Sequence, residues 1–100
     1  MANTLSIAPR AEADLREAFQ WYEARSAGLG YEFLRCVEAR LNLIARMPQL
    51  FRHHGPLHRL AKIDRFPYAI YFVWEEPQAH VAVRRILHFA QDANRAGSAQ

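Results

Sequence analysis

One stretch of the 100-residue sequence decides the fold: RFPYAIYFVW, residues 65–74. Side chains alternate between the two faces of a strand, and here both alternating sets are apolar. One face would carry Phe66, Tyr68, Ile70, Phe72 and Trp74, and the other Ala69, Tyr71 and Val73. A strand that is apolar on both faces needs cover on both sides, so the stretch is predicted to be the central strand of a small sheet.

The first predicted helix begins at Pro9, after a short alternating strand over residues 5–8, and ends near Arg25. Proline is favoured at the first helical position because its missing N–H would have no partner there. The apolar residues recur at three- and four-residue steps, namely Leu15, Ala18, Phe19 and Tyr22. Trp21 lies off this stripe, so it belongs either to the flank of a helical hairpin or to a binding surface.

A second helix is predicted to follow the turn Gly28-Leu29-Gly30 and to end before Pro48. Its apolar stripe is Phe33, Leu34, Val37, Leu41 and Ile44. Together with the first helix it would form a hairpin that packs on the sheet.

The rest of the chain is predicted to add strands on both sides of the central one. Residues 48–56 show no clean period and are predicted to be a loop, and residues 58–63 and 80–88 are predicted strands. In the last strand, Val81, Val83 and Leu87 would share a face. The order strand, helix, helix, three strands predicts an α+β domain with a helical hairpin on a small, mainly antiparallel sheet. Residues 1–92 would form this single domain, and residues 93–100 a frayed tail.

The composition favours a cytoplasmic protein without a metal or cofactor. The single cysteine, Cys36, excludes an internal disulfide and suits a reducing compartment. No apolar run approaches the roughly 20 residues of a membrane span, and the N-terminus lacks the pattern of a signal peptide. The histidines fit no standard zinc spacing, so no metal site is predicted.

The net charge is only +3, but the excess of positive charge is concentrated between residues 46 and 65. The only acid there is Asp64, against five cations: Arg46, Arg52, Arg59, Lys62 and Arg65. Such a patch predicts an acidic partner. The alternative is a solvated loop that happens to contain several arginines.

Several short patterns occur in a fixed order along the chain. They are Ala13-Asp14-Leu15 with Trp21-Tyr22, Gly28-Leu29-Gly30 with Phe33-Leu34, Pro48, Arg65-Phe66-Pro67-Tyr68 with Ile70-Tyr71-Phe72, and Ile86-Leu87-His88 with Asp92. In this order they resemble the RelE/ParE superfamily of type II toxin–antitoxin toxins, and its ParE branch more closely. The resemblance covers about Leu5 to Asp92.

The resemblance implies a small cytoplasmic toxin neutralised by a cognate antitoxin that wraps an acidic, partly disordered segment around it. ParE-like toxins act on DNA gyrase, whereas RelE-like toxins cut messenger RNA on the ribosome. A homodimer and a hetero-oligomer with the antitoxin both remain open. Neither a membrane nor direct contact with nucleic acid is expected. The five cations of residues 46–65 are the predicted antitoxin contacts.

The resemblance also argues against a nuclease. RelE-like ribonucleases typically carry one arginine just after the central-strand tyrosine and another after the last strand. Here Ala69 follows Tyr68, and Gln91 precedes Asp92. Loss of two such cations should cost on the order of 10³-fold in rate.

No catalytic residues are therefore predicted. If the chain is a nuclease after all, its candidates are Arg84, Arg85 and His88. Three functions remain open at this point: a gyrase inhibitor, a ribosome-dependent mRNA endoribonuclease, and a degenerate family member that is not toxic.

Overall fold

The elements follow the predicted order, with one additional short strand. A computed structural model describes residues 3–91, which contain two α-helices and five strands. Their bounds are β1 (Thr4–Ile7), α1 (Pro9–Arg25), α2 (Leu29–Arg46), β2 (His53–His54), β3 (His58–Lys62), β4 (Tyr68–Glu75) and β5 (His80–His88). Single 3₁₀ turns span Pro48–Leu50 and Glu76–Gln78. The predicted tail over residues 93–100 lies outside the described residues.

The strands form one sheet in the order β1-β5-β4-β3-β2, so β4 is its central strand, as predicted. β1 runs parallel to β5, and the other pairs are antiparallel. The α+β class and the mainly antiparallel sheet are confirmed. Both helices lie on one face of the sheet, and we call the other face the open face.

The prediction of a plain loop over residues 48–56 is wrong, because this segment contains a 3₁₀ turn and β2. His53 and His54 pair with Arg59 and His58 across a turn in which Gly55 has a φ of 80°. A two-residue strand is too short to show a period in the sequence, and it exists only through its pairing with β3.

The two faces of β4 are confirmed. Ile70 and Phe72 are fully buried in the main core under the helices, and Phe66, Tyr68 and Trp74 contribute to that core. Ala69 and Tyr71 pack on the open face in a smaller cluster. The strand begins later than predicted, however, because Arg65 adopts a φ of 71° in the turn that leads to Tyr68.

The predicted face of β5 is wrong, because the strand contains a bulge. Tyr71 pairs with Arg85 and Phe72 with Val83, so Arg84 falls between these two pairs. One extra residue moves every later side chain to the other face. Ile86 therefore joins Val81 and Val83 in the main core, whereas Leu87 packs on the open face.

The turn between α1 and α2 depends on two glycines and on a side chain of α1. Gly28 has a φ of 90°, and a Cβ on Gly30 would lie 2.8 Å from the Phe19 carbonyl oxygen. The Glu23 carboxylate accepts the N–H groups of Gly28 (2.8 Å) and Gly30 (2.9 Å). The predicted turn is confirmed, and it holds the two helices in close contact, with α1 against β5.

An aromatic cluster joins the helices to β4. Tyr22 lies 5.3 Å from Phe33 and 4.9 Å from Phe66 between ring centroids, and Phe33 lies 5.1 Å from Tyr68.

Within residues 3–91, no helix combines the length and apolar character that crossing a bilayer requires.

Candidate functional site

A cleft of about 490 Å³ opens between α1 and the ends of β4 and β5. Its lining includes Trp21 and Tyr22 of α1, Pro67 and Tyr68 at the start of β4, and His88 at the end of β5, and we call it the aromatic cleft. Trp21 is 51% exposed, whereas Tyr22 belongs to the aromatic cluster of the core. Of the two interpretations of Trp21, the structure therefore favours the binding surface.

Two acids, Asp14 and Glu17, also line the cleft, and Asp14 is paired with Arg85. The pKa of Tyr68 is raised, first by burial and then by Tyr22, Glu17 and Asp14. Its phenol is therefore neutral at physiological pH and acts as a hydrogen-bonding group rather than as a base. The ring lies 5.2 Å from that of His88.

The turn after β5 holds His88 in place. Its backbone N–H donates to the Gln91 side chain at 3.0 Å, and its Nδ1 accepts from the Ala90 N–H at 3.0 Å. Because Nδ1 is an acceptor, the neutral ring carries its proton on Nε2. Gln91 thus helps to organise the end of the strand.

Asp14 binds the end of β5 in two ways. Its carboxylate accepts two hydrogen bonds from the Arg85 guanidinium, at 2.7 and 2.9 Å, and one from the Ile86 N–H at 3.0 Å. β1 pairs with β5 only as far as Val83, so Asp14 satisfies a backbone group beyond the end of β1. The hydrogen bond to Asp14 raises the pKa of Arg85. Arg85 is therefore committed to a structural ion pair.

The structure does not bring the three nuclease candidates together. Arg84 and Arg85 both line a cavity on the open face, where Arg85 is bound to Asp14, whereas His88 lines the cleft. Ala69 is fully buried in the open-face cluster.

Two of the predicted antitoxin contacts, Arg46 and Arg65, line a groove along α2, together with Arg35 and Arg40. We call it the α2 groove. The Arg65 guanidinium donates to Glu32 at 2.7 Å, which raises the pKa of Arg65, and Arg40 donates to Asp64 at 2.9 Å. Both acids of the groove are thus already paired, and Arg35 and Arg46 make no ion pair within residues 3–91.

The other three predicted contacts lie elsewhere. Arg59 donates to the Phe51 carbonyl at 2.6 Å and lies 5.6 Å from the Trp74 ring. Lys62 pairs with Ala69 and is therefore on the open face, and Arg52 is exposed beside β2. The five cations are thus distributed over both sides of the sheet. Their role in binding an antitoxin stays a prediction.

Three of the five histidines lie together in the β2–β3 pair, where His54 is opposite His58 and next to His53. His80 lies between two hydroxyls of β1, with Nδ1 2.6 Å from the Thr4 oxygen and Nε2 2.9 Å from the Ser6 oxygen. In the part of the chain that the structure describes, no group of three or more histidines, cysteines or acids could hold a metal ion.

Comparison with known proteins assigns the family. Residues 5–93 match the model of the ParE toxin of type II toxin–antitoxin systems, parDE. The chain belongs to the ParE toxin family. The match covers almost the whole domain, from β1 to beyond β5, so it confirms the resemblance that the ordered sequence patterns indicate.

Two solved structures share the fold of this ParE-family toxin. One is from the chromosomal ParDE system of P. aeruginosa, with a TM-score of 0.73 at 15% identity, over 87% of this chain and 96% of that one. The other is from the RelBE2 toxin–antitoxin complex of Mycobacterium tuberculosis, with a TM-score of 0.62 at 16% identity, over 88% and 99%. No curated protein matches the sequence.

The role of Asp14 in holding β5 was not predicted from the sequence. The sequence nevertheless contains an indication that Asp14 has a structural partner. Asp14 is three residues after Ala11 and four before Ala18, so it lies next to the buried face of α1. A carboxylate in such a position needs a partner, which predicts a cation or free backbone N–H opposite it.

Proposed function

We propose that this ParE-family toxin binds and inhibits DNA gyrase, has no chemistry of its own, and is kept inactive by an antitoxin encoded with it. The observation that carries this proposal is the arrangement of cations around β4 and β5. Ala69 is buried in an apolar cluster, and Arg85 is bound to Asp14. Membership of the ParE family supports the same function.

Phosphodiester cleavage requires preorganised positive charge at the reacting phosphate. Arg85 could supply it only by leaving Asp14, and an unpaired carboxylate in that position is unfavourable because it is partly removed from water. Arg84 and His88 line different cavities. Binding of a protein needs none of these movements and is favoured for that reason.

The proposed gyrase contact is the aromatic cleft. An exposed tryptophan next to a concave apolar wall is typical of the residues that dominate protein–protein affinity. Trp21 is held in position by the Arg25 guanidinium, 4.0 Å from its ring, and by the edge of Tyr22. A preordered side chain loses less entropy on binding.

The proposed antitoxin contact is the α2 groove, extended by Arg52, Arg59 and Lys62. The two solved structures described above come from toxin–antitoxin systems. The groove has two cations, Arg35 and Arg46, that make no ion pair with the described residues. An acidic segment lying along α2 would pair with them.

A supercoiling assay tests the proposed target. The purified chain should inhibit gyrase, and its antitoxin should restore supercoiling. Trp21→Ala should weaken inhibition by about tenfold or more, as expected for a central aromatic contact. Tyr31→Ala, an exposed aromatic residue that packs on Phe19 outside the cleft, is the matched control. Unimpaired supercoiling by gyrase at saturating wild-type toxin would refute the proposal.

The alternative is a ribosome-dependent mRNA endoribonuclease. It is favoured by the RelBE2 structure among the proteins of similar fold and by the juxtaposition of His88 and Tyr68 in the cleft. Cleavage of a transcript at ribosome-occupied codons in a translation extract, lost in His88→Gln, would establish it. Normal growth of a bacterium that expresses the folded chain alone would instead establish a non-toxic family member.

A further inference from the structure

A second cavity lies on the open face of the sheet, on the side opposite to the α2 groove. It has a volume of about 570 Å³ and is lined by Arg10 from the start of α1, His58 from β3, and both Arg84 and Arg85 from β5. We call it the open-face cleft. None of the residues that line it is acidic. Neither the family patterns nor the proposed gyrase and antitoxin contacts account for it.

We propose that the open-face cleft binds a carboxylate side chain in an acidic segment of a partner protein, with a neighbouring apolar side chain of that segment against Leu57 and Val73. Arg10 and Arg84 would hold the carboxylate. This site goes beyond the proposed function, because it requires neither the aromatic cleft nor the α2 groove.

Arg84 is available because of the bulge in β5. It falls between two cross-strand pairs, is exposed, and makes no ion pair with any residue in the range 3–91. Arg10 is likewise exposed and unpaired within that range. The neighbouring Arg85 differs, because Asp14 accepts both of its hydrogen bonds. At the bulge, Arg85 thus forms a structural ion pair, whereas Arg84 is left for a ligand.

The electrostatics of His58 support a positive potential in this cleft. Its pKa is lowered, first by burial and then by the charges of Arg84 and His54. His58 is therefore mostly neutral at physiological pH and can donate or accept a hydrogen bond beside the two guanidinium groups. An anion in the cleft would relieve the repulsion between these groups.

The lining favours an acidic peptide over a nucleic acid. Single-stranded nucleic acids bind to aromatic side chains on which bases stack, and no aromatic residue lines the open-face cleft. The apolar part is instead aliphatic, with Leu57 70% exposed and Val73 half-buried. An exposed leucine beside two arginines fits a peptide in which a carboxylate and an apolar side chain are close together.

Fluorescence anisotropy with a labelled peptide of alternating glutamate and leucine tests the site. The wild-type chain should bind it, and should bind the matched glutamine–leucine peptide at least tenfold more weakly. Arg84→Gln and Arg10→Gln should each reduce affinity for the acidic peptide by about tenfold, the usual effect of losing a charge-assisted hydrogen bond. Arg16→Gln, exposed on α1 outside this cleft, is the control and should bind as the wild type does.

A second measurement needs no variant. On titration of the wild-type chain with the acidic peptide, the ring resonances of His58 should shift, whereas those of His80 should not. Equal loss of affinity in Arg16→Gln and Arg84→Gln, or unshifted His58 resonances at saturation, would overturn the proposal. Tighter binding of an oligouridine probe, lost in Arg84→Gln, would also overturn it by assigning the cleft to nucleic acid.

Discussion

Asp14 joins α1 to the part of β5 that β1 leaves uncovered. Its ion pair with Arg85 is largely shielded, with the two side chains 14% and 18% exposed. A shielded pair is costly to break, because the remaining partner keeps its charge without compensation. The same carboxylate satisfies the Ile86 N–H, so one side chain has two structural roles.

We therefore expect Asp14→Asn to lower the free energy of unfolding by about 2–3 kcal/mol, because it leaves Arg85 partly buried without its counter-charge. Urea denaturation measures this. The matched control is Arg40→Gln, whose partner Asp64 is 81% exposed, and it should change stability by at most about 0.5 kcal/mol. Similar effects of the two variants would contradict a structural role for the Asp14 pair.

The charge of Arg84 should be measurable at His58. The pKa of His58 is lowered by burial and by Arg84, so removal of the arginine charge should raise it, though not to its ordinary value because burial remains. An NMR titration of wild type and Arg84→Gln compares the two pKa values. Arg35→Gln, on the other side of the sheet, should leave the His58 pKa unchanged. A lower pKa in Arg84→Gln would contradict the prediction.

At the scale of the elements, the α1–α2 turn depends on two glycines for different reasons. Gly30 is needed for space, because a Cβ would lie 2.8 Å from the Phe19 carbonyl oxygen, a backbone atom that cannot move alone. Gly28 is needed for its backbone conformation, since its φ is 90° and no atom lies within 4 Å of a Cβ there. The two positions should therefore respond differently to substitution.

Gly30→Ala should lower the free energy of unfolding by about 2–3 kcal/mol, because the helices must separate to admit the methyl group. Gly28→Ala should cost about 1 kcal/mol of backbone strain, and Gly28→Asn less, since asparagine tolerates positive φ. Thermal unfolding of the three variants measures how strongly each substitution destabilises the protein. If Gly30→Ala were the mildest of them, close helix contact at this residue would be refuted.

The elements also show where prediction from the sequence ends. The two faces of β4 could be predicted because a run that alternates without interruption fixes them locally. The face of Leu87 could not, since the bulge at Arg84 is a property of the pairing between β4 and β5. β2 could not be predicted either, because it is defined by its pairing with β3, which involves only two of its residues.

At the scale of the whole molecule, the family could be predicted from ordered local patterns, whereas the sites could not. The aromatic cleft combines Trp21 of α1, Tyr68 of β4 and His88 of β5. These residues are far apart in the sequence. The pairing of β4 with β5 places Tyr68 opposite His88, and the packing of α1 on β5 adds Trp21. The cations of residues 46–65 are close in the sequence but are separated by the fold. Lys62 is near Arg65 in the sequence, yet it lies on the other face of the sheet.

This distribution of charge makes the antitoxin contact testable by location rather than by net charge. Arg46→Glu and Arg16→Glu change the net charge equally, but only Arg46 lies in the α2 groove. If an acidic segment enters this groove, Arg46→Glu should slow association with the antitoxin by about tenfold at low salt, because rim charges act mainly on the association rate.

The difference in association rate between Arg46→Glu and Arg16→Glu should nearly vanish at about 0.5 M salt, where screening reduces the range of electrostatic interactions to a few ångströms. Stopped-flow association at several salt concentrations measures both effects. Equal rates for Arg46→Glu and Arg16→Glu at low salt would mean that the antitoxin responds to the total charge of the toxin, and the α2 groove would then lose its role. A difference that persists at high salt would instead indicate a direct contact at Arg46, formed in the transition state for association.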